Sequence, residues 1–71
     1  MRDVEVTSEV INLQQLLQLA GVVETGGEAK ILIGTHVVTV NGEPEARRGR
    51  KLRTGDVVEL AEGESLRVVS A

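Results

Sequence analysis

The sequence predicts an α+β domain in which two short helices pack on a small, mostly antiparallel sheet of three to five strands. Three observations support this fold class. Apolar residues recur with a helical period in residues 13–33, they alternate with a period of two in residues 37–40, and an Asn-Gly pair follows that alternation directly. The 71 residues contain no repeat and no low-complexity linker, so we expect a single domain over residues 1–71.

Both helices are predicted from apolar stripes and capping residues. In the segment NLQQLLQLAG, leucines and an alanine recur at i, i+3, i+4 and i+7 with glutamines opposite, which predicts a helix over residues 13–20. Asn12 can cap this helix and Gly21 can end it. Further along, Thr25 and Glu28 have the spacing of a capping box, which predicts the start of the second helix.

The strands are predicted mainly from alternating aliphatic residues after the helices. The segment VVTV has a period of two, and the Asn41-Gly42 pair that follows is a strong signal for a two-residue hairpin turn. Pro44 cannot donate to a strand ladder, so the return strand is expected to be short or at an edge. TGDVVEL and SLRVVS predict two more strands, and VEV at residues 4–6 a further one. Val38 and Val40 share one face of the VVTV segment, and Val37 and Thr39 share the other. The side chains expected to face the core are Val58, Leu60, Leu66 and Val68.

The composition argues against an enzyme. There is one histidine and no cysteine, and the carboxylates are scattered over the termini and turns. We therefore expect no catalytic residue, no metal site and no cofactor. His36 falls between a helix end and a strand, where positive φ is often required, so a structural role is expected for it. Because the sequence has no long apolar run, we expect neither a signal peptide nor a membrane span, and we expect a cytoplasmic location.

Positive charge is concentrated in the middle of the chain. The protein has eight basic and eleven acidic residues and a net charge of −3. Residues 1–29 contain one basic and five acidic residues. Residues 30–53 contain six basic and two acidic residues, and residues 54–71 contain one basic and four acidic residues. Five of the eight basic residues lie in the stretch EARRGRKLRTGD, residues 45–56. This stretch can attract a polyanion although the protein as a whole is acidic.

Composition alone leaves two interpretations of this stretch open. Arginine guanidinium groups hold phosphate oxygens bidentately, and Gly49 lets the backbone bend, so the stretch suits the phosphates of a nucleic acid. The arginines can equally neutralise carboxylates on neighbouring strands. The carboxylates in question belong to Glu43, Glu45, Asp56 and Glu59.

Three segments of the chain together point to a family. LLQLAGVVETGGEAKILI, VTVNGE and RRGRKLRTGDVVEL occur in this order within residues 12–60. This region resembles the RNA-binding domain first named from small-subunit ribosomal protein four, also called the αL motif, and especially its short stand-alone bacterial members. The resemblance implies two helices packed on a small sheet, and an activity in binding structured RNA.

The resemblance also implies which residues contact RNA, on the second helix and on the loop and strand that follow it. Glu28 is expected to compete with a phosphate at the start of that helix. The implied RNA-binding residues are Gly27, Lys30, Thr39, Asn41, Arg47, Arg48, Arg50, Lys51 and Arg53.

Three departures from the family pattern modify these expectations. Many members begin the first helix with Arg-Leu-Asp and the second with Ser-Arg-Ser, where this chain has Asn-Leu-Gln at residues 12–14 and Thr-Gly-Gly at residues 25–27. Two positive charges are thereby missing, so we expect the RNA contacts to concentrate on residues 47–53. His36 replaces a glycine that is usual after the second helix, so positive φ is expected there.

The expected function is non-catalytic binding of structured RNA, ribosomal or another stem-loop RNA, through phosphates and shape. The chain has no aromatic residue and therefore no platform on which exposed bases can stack. The expected partners are RNA and, through it, the ribosome or its associated proteins, and the protein is expected to be a monomer. The alternative is a protein-interaction module that docks an acidic partner through the same basic stretch.

Overall fold

The computed structural model describes residues 1–35 and 37–71, which form two helices and seven strands. The expectation of positive φ at His36 lies outside the described residues. The elements in chain order are β1 (Arg2–Val6), β2 (Ile11–Asn12), α1 (Leu13–Leu19), α2 (Gly26–Gly34), β3 (Thr39–Val40), β4 (Glu43–Pro44), β5 (Lys51–Leu52), β6 (Val57–Glu59) and β7 (Ser65–Ser70).

The strands form a five-stranded sheet with the order β1-β7-β6-β3-β4 and a separate pair of β2 and β5. In the larger sheet β1 runs parallel to β7, and the other neighbours are antiparallel. The predicted α+β class, with two helices on a mostly antiparallel sheet, is confirmed. The pairing of β2 with β5 was not predicted, because two-residue strands carry no periodic signal.

The core between helices and sheet is entirely aliphatic. Every side chain predicted to face the core from the strands is buried, with relative exposures between 0% and 6%. From the helices, Leu13, Leu16 and Leu17 of α1 and Ala29 and Ile33 of α2 are fully buried. Each large aliphatic side chain removed from water contributes about 1.5–3 kcal/mol. Among the described residues, no helix is both long and apolar enough to span a membrane.

The boundaries of α1 follow from capping at both ends. Asn12 Oδ1 accepts from the Gln15 backbone N–H at 2.8 Å, and Gln15 Oε1 accepts from the Asn12 N–H at 3.1 Å. At the other end Gly21 has φ of 75°, and the N–H groups of Gly21 and Val22 donate back to the carbonyls of Gln18 and Leu17. This pair of bonds is a Schellman motif, which ends the helix at the glycine that the sequence indicated.

The start of α2 differs in one respect from its prediction. Thr25 Oγ1 accepts from the Glu28 N–H at 3.1 Å, as expected for the capping residue. The Glu28 carboxylate, however, accepts from the N–H of Glu24 at 2.9 Å, one residue before the cap. The reciprocal bond of the capping box therefore falls outside the helix.

The hairpin of β3 and β4 has the predicted two-residue turn. Asn41 and Gly42 have φ of 52° and 86°, and positive φ at both central residues is the signature of a type I′ turn. Pro44 lies in β4, which is the last strand in the sheet order. The prediction of a short return strand at an edge is confirmed.

We expect glycine to be required at Gly42 and dispensable at Gly34. An alanine at Gly42 adopts positive φ at a cost, so Gly42→Ala should lower the free energy of unfolding by about 1 kcal/mol or more. A Cβ on Gly34, the last residue of α2, meets open space, so Gly34→Ala should raise stability by about 0.5–1 kcal/mol. Urea unfolding followed by circular dichroism measures both. Equal effects of the two substitutions would contradict the assigned turn.

Candidate nucleic-acid interface

The basic loop, residues 45–50, connects β4 to β5 and is organised around a buried carboxylate. Glu45 is 6% exposed, and its backbone N–H donates to the carbonyl of Val38 at 3.0 Å. Glu45 Oε2 accepts from the backbone N–H and Nε–H of Arg47 at 3.1 and 3.0 Å. Glu45 Oε1 accepts from a terminal N–H of Arg47 at 3.2 Å and of Arg50 at 2.8 Å. One carboxylate therefore holds two guanidinium groups in place.

These hydrogen bonds keep Glu45 ionised. Hydrogen bonds from Arg47 and then from Arg50 lower the pKa of Glu45 from 4.5 to about 2, against the opposing effect of burial. The same contact raises the pKa of Arg47. At neutral pH two guanidinium charges face a single carboxylate charge, so the cluster remains positive.

Arg47 and Arg50 each keep side-chain N–H donors that Glu45 does not engage. A guanidinium group has five N–H donors, and Glu45 engages two from Arg47 and one from Arg50. The Arg47 side chain is 74% exposed and that of Arg50 33% exposed. The two interpretations of the basic stretch are thus compatible: a neighbouring carboxylate is bound, and exposed donors remain beside it.

Backbone hydrogen bonds attach the basic loop to the first turn of α1. The N–H of Leu13 donates to the carbonyl of Arg50 at 2.9 Å, and the N–H of Gln14 to the carbonyl of Arg48 at 3.0 Å. The first N–H groups of a helix have no partner within the helix, and here loop carbonyls satisfy two of them. The adjoining pairing of β2 with β5 continues the attachment. The loop backbone is therefore fixed although its side chains are exposed.

A polar concavity lies between α1 and the basic loop. Gln14 and Gln18, one turn apart on α1, line one side of it, and Arg48 and Gly49 line the other. Gln14 Nε2 and Gln18 Oε1 lie 3.5 Å apart. Amide groups that both donate and accept, next to a guanidinium, suit the hydroxyls and phosphates of a sugar-phosphate backbone.

The two glutamines are absent from the residues implied by the sequence. In the sequence they are simply the polar side of an amphipathic helix, which is usually a solvated face. Attachment of the basic loop to α1 is what places them beside Arg48. That attachment involves residues more than 30 positions apart, and no local pattern signals it.

The start of α2 lies beside the same glutamines. A Cβ on Gly26 would be 2.8 Å from Gln14 Nε2, so the α2 backbone approaches α1 closely at this point. Lys30 is exposed and follows Gly26 by four residues, which places both on one side of the helix. Gly27 precedes Lys30 by three residues and is its neighbour on the helix surface. Gly27 and Lys30 therefore lie on α2 close to the point where Gly26 approaches Gln14.

Glu28 was expected to compete with a phosphate at the start of α2, but its carboxylate is engaged before the helix begins. Its carboxylate binds the N–H of Glu24, and it is not directed to the N–H of Gly27 by any hydrogen bond among the described residues. The acidic side chain thus lies toward the chain segment that enters α2.

Asn41 joins two turns of the structure. Its backbone N–H donates to the carbonyl of Val57 at 2.7 Å, and its side-chain oxygen accepts from the Val57 N–H at 2.9 Å. Its side-chain nitrogen donates to Asp56 Oδ1 at 3.1 Å. Asp56 Oδ2 in turn accepts from the backbone N–H of Arg53 at 2.8 Å. Asn41 therefore has a structural role that its sequence context, the hairpin turn, indicated only in part.

The remaining implied residues lie on β3 and around β5. Thr39 is half-buried, with Pro44 and Glu59 as its partners on the neighbouring strands. Lys51 of β5 and Arg53, which follows this strand, are exposed on either side of the buried Leu52. Within residues 1–35 and 37–71, the basic side chains without an ion pair are Lys30, Arg48, Lys51 and Arg53. In the same residues, no group of three or more potential metal ligands is found.

Both helices, the Asn-Gly hairpin and the basic loop fall within the part of the chain that matches a known family. A family model described as S4 domain matches residues 4–69. The chain belongs to the S4 domain family. The resemblance noted for residues 12–60 is thereby confirmed.

Curated relatives of this S4 domain are of similar length. It is 48% identical over 67 residues to a protein named "Probable ribosome maturation protein RlbA" from Bacillus subtilis, and the match covers 94% of each chain. It is 40% identical over 60 residues to "Putative RNA-binding protein YbcJ" from Escherichia coli, with 84% of each chain covered.

Among solved structures, this S4 domain is similar to the 30S ribosomal protein S4e from Thermoplasma acidophilum. The TM-score is 0.63 at 22% sequence identity. The match covers 86% of this chain and 32% of the ribosomal protein. At this identity the match supports the fold alone. In the ribosomal protein this fold is one part of a longer chain.

Protonation of Glu45 is expected to destabilise this S4 domain. A carboxyl group with a lowered pKa stabilises the folded state above its unfolded pKa, near 4.5, and that stabilisation is lost as pH falls through about 2. Between about pH 5 and pH 2 we expect the native protein to lose about 1–3 kcal/mol more unfolding free energy than Glu45→Gln. Urea unfolding at a series of pH values, followed by circular dichroism, measures the difference.

The control for this titration is Glu43→Gln. Glu43 is an exposed carboxylate on β4, and its substitution should leave the acid dependence of the native protein unchanged. The account of Glu45 would be wrong if Glu45→Gln showed the same acid dependence as the native protein.

We expect Asn41→Ala to destabilise the folded protein. It removes two side-chain hydrogen bonds and places alanine at positive φ, so the unfolding free energy should fall by about 1–3 kcal/mol. Glu43→Ala, in the same hairpin, should change it by less than about 0.5 kcal/mol. Thermal unfolding of the three proteins tests this, and a native-like melting temperature for Asn41→Ala would refute the structural role.

Proposed function

We propose that this S4 domain binds structured RNA, ribosomal or another stem-loop RNA, through phosphates and shape and without catalysis. The observation that carries the proposal is the basic loop itself. Its backbone is fixed to α1, and Glu45 holds Arg47 and Arg50 at the surface beside the exposed Arg48. A surface ordered before binding loses less conformational entropy when it takes up an anion. The printed names of the relatives, an RNA-binding protein and a ribosome maturation protein, support RNA as that anion.

The residues have different roles in this proposal. Arg48, Lys30, Lys51 and Arg53 contact phosphates as exposed cations, and Arg47 and Arg50 do so in the orientation set by Glu45. Gln14 and Gln18 contact sugar hydroxyls and phosphate oxygens, and the backbone N–H of Gly27 offers a further donor at the start of α2. Thr39 lies at the margin of this surface, and Asn41 acts by fixing the hairpin beside it.

Structured RNA fits this surface better than an extended single strand. Binding of single strands generally relies on aromatic side chains that stack with bases, and this chain has none. A-form RNA offers a wide, shallow minor groove with 2′-hydroxyl groups and flanking phosphates, which guanidinium and amide groups can contact from outside. Such contacts carry little sequence information, so low sequence specificity is expected.

The proposal places a monomeric protein, without cofactor, on RNA in the cytoplasm, where ribosomal RNA is found. The ribosome, or a protein associated with it, is the proposed wider context. The alternative of an acidic protein partner for the basic loop has no support in the family or in the names of the relatives. Such binding would persist when RNA is added as a competitor.

The salt dependence of binding tests the proposal. If four to six cations contact phosphates, the logarithm of affinity should fall with the logarithm of salt concentration at a slope of roughly −3 to −5. Arg48→Ala should weaken binding to a ribosomal RNA stem-loop by roughly three- to tenfold and make the slope shallower by roughly 0.7–0.9. Fluorescence anisotropy with labelled RNA at four salt concentrations measures both.

The matched control is Arg67→Ala. It removes the same charge from β7, where Arg67 is paired with Asp3 at 2.9 Å, and should leave both affinity and slope within about twofold of native. The triple variant Arg47→Ala, Arg48→Ala and Arg50→Ala should bind least. Salt-insensitive binding by the native protein, or equal losses from Arg48→Ala and Arg67→Ala, would reject the basic loop as the RNA site.

A further inference from the structure

A second surface, on the other side of α2 from Lys30, has the opposite character. An open groove of about 400 Å³ is bounded by Val22 and Val23, which precede α2, and by Ile31 and Leu32 of α2. Residues 30 and 32 are separated by about 160° around a helix, so Leu32 and Lys30 lie on different sides of α2. Ile31 lies between them, one turn after Gly27, so the groove adjoins the basic surface at Gly27 and leaves Lys30 outside.

Ile31 is the clearest sign that this groove is unpartnered. Its exposure is 71%, whereas Ile33, two residues along the same helix, is fully buried. Besides Ile31, the large hydrophobic residues exposed in the described part of the chain are Met1, Leu19 and Val37. None of these three lines the groove. Ile31 shares the groove with half-buried Val22 and Leu32, so the apolar surface here is contiguous and not a single exposed side chain.

The charged residues that line the groove are acidic. Glu28 and Glu62 contribute to its walls, and among residues 1–35 and 37–71 no basic residue lines it. The Glu28 carboxylate is held in position by the N–H of Glu24 at 2.9 Å. A ligand for this groove must therefore combine apolar side chains with positive charge.

We propose that this groove binds an amphipathic, lysine- or arginine-rich helix of a partner protein. The apolar side of such a helix covers Ile31 and Leu32, and its basic residues face Glu28 and Glu62. RNA is disfavoured because two carboxylates face the site. A second copy of the chain is disfavoured because a symmetric contact brings the same carboxylates together. This site does not depend on RNA binding by the basic loop.

The test uses a labelled synthetic peptide of ~18 leucine and lysine residues with helical spacing, which spans ~27 Å as a helix. Ile31→Ser should weaken binding of this peptide at least about tenfold, the effect of losing one buried aliphatic side chain. Leu19→Ser changes an exposed aliphatic residue outside the groove, and should leave the affinity within about twofold. Circular dichroism establishes that both variants are folded.

A charge-matched pair of variants tests the acidic lining. Glu28→Gln with Glu62→Gln should weaken peptide binding by about three- to tenfold, while Glu9→Gln with Glu59→Gln, which removes the same charge elsewhere, should change it less than about twofold. Glutamine at position 28 retains an acceptor for the Glu24 N–H. Binding of the ribosomal RNA stem-loop should not be weakened by any of these substitutions.

Three outcomes would overturn the proposal. The first is an equal loss of peptide binding in Ile31→Ser and Leu19→Ser, or in the two charge variants. The second is equal binding of a peptide with glutamate in place of lysine. The third is a dimer of the native protein, seen by sedimentation, that Ile31→Ser dissociates, because the groove would then belong to a second copy.

Discussion

The buried carboxylate of Glu45 is the interaction on which the proposed binding surface depends. Burial of a carboxylate is costly unless hydrogen bonds and opposite charge compensate for it. Here four hydrogen bonds from Arg47 and Arg50 do so, and they bend residues 45–50 into a compact loop. The carbonyls of that loop then bond the first N–H groups of α1. One ionised group thus links the hairpin, the basic loop and the first helix.

The second helix, α2, has two sides of different chemistry. One side carries Lys30 and approaches Gln14 through Gly26, while the other carries Ile31 and Leu32 beside two carboxylates. A short helix with few buried residues can present different chemistry on its two flanks because its core contact is narrow. In a chain of 71 residues, one helix thereby carries a basic flank and an acidic, apolar flank.

Local signals explain which elements were predictable. The caps of α1, the Thr25 cap of α2, the Asn-Gly turn and the edge position of Pro44 each depend on residues within a few positions of one another. The inward-facing strand residues were predictable for the same reason, because alternation along a strand is a property of neighbours. The bond from Glu24 to Glu28 departs from the capping-box pattern by one residue, since the entering chain approaches the carboxylate from outside the helix.

Fold class, family and the concentration of positive charge in one stretch can be inferred from the residues alone, because periodicity, capping and charge are carried by adjacent residues. The packing of the whole chain decided that Arg47 and Arg50 share a buried Glu45 and that Asn41 binds Asp56. It also decided that Gln14 lies between Arg48 and α2. The Asn41 and Gln14 contacts join distant segments, whereas the ion pairs of Glu45 are local in sequence and involve a carboxylate that the fold buries. A stretch of basic residues becomes an ordered surface when packing buries the carboxylate within it and supplies the backbone donors that hold it.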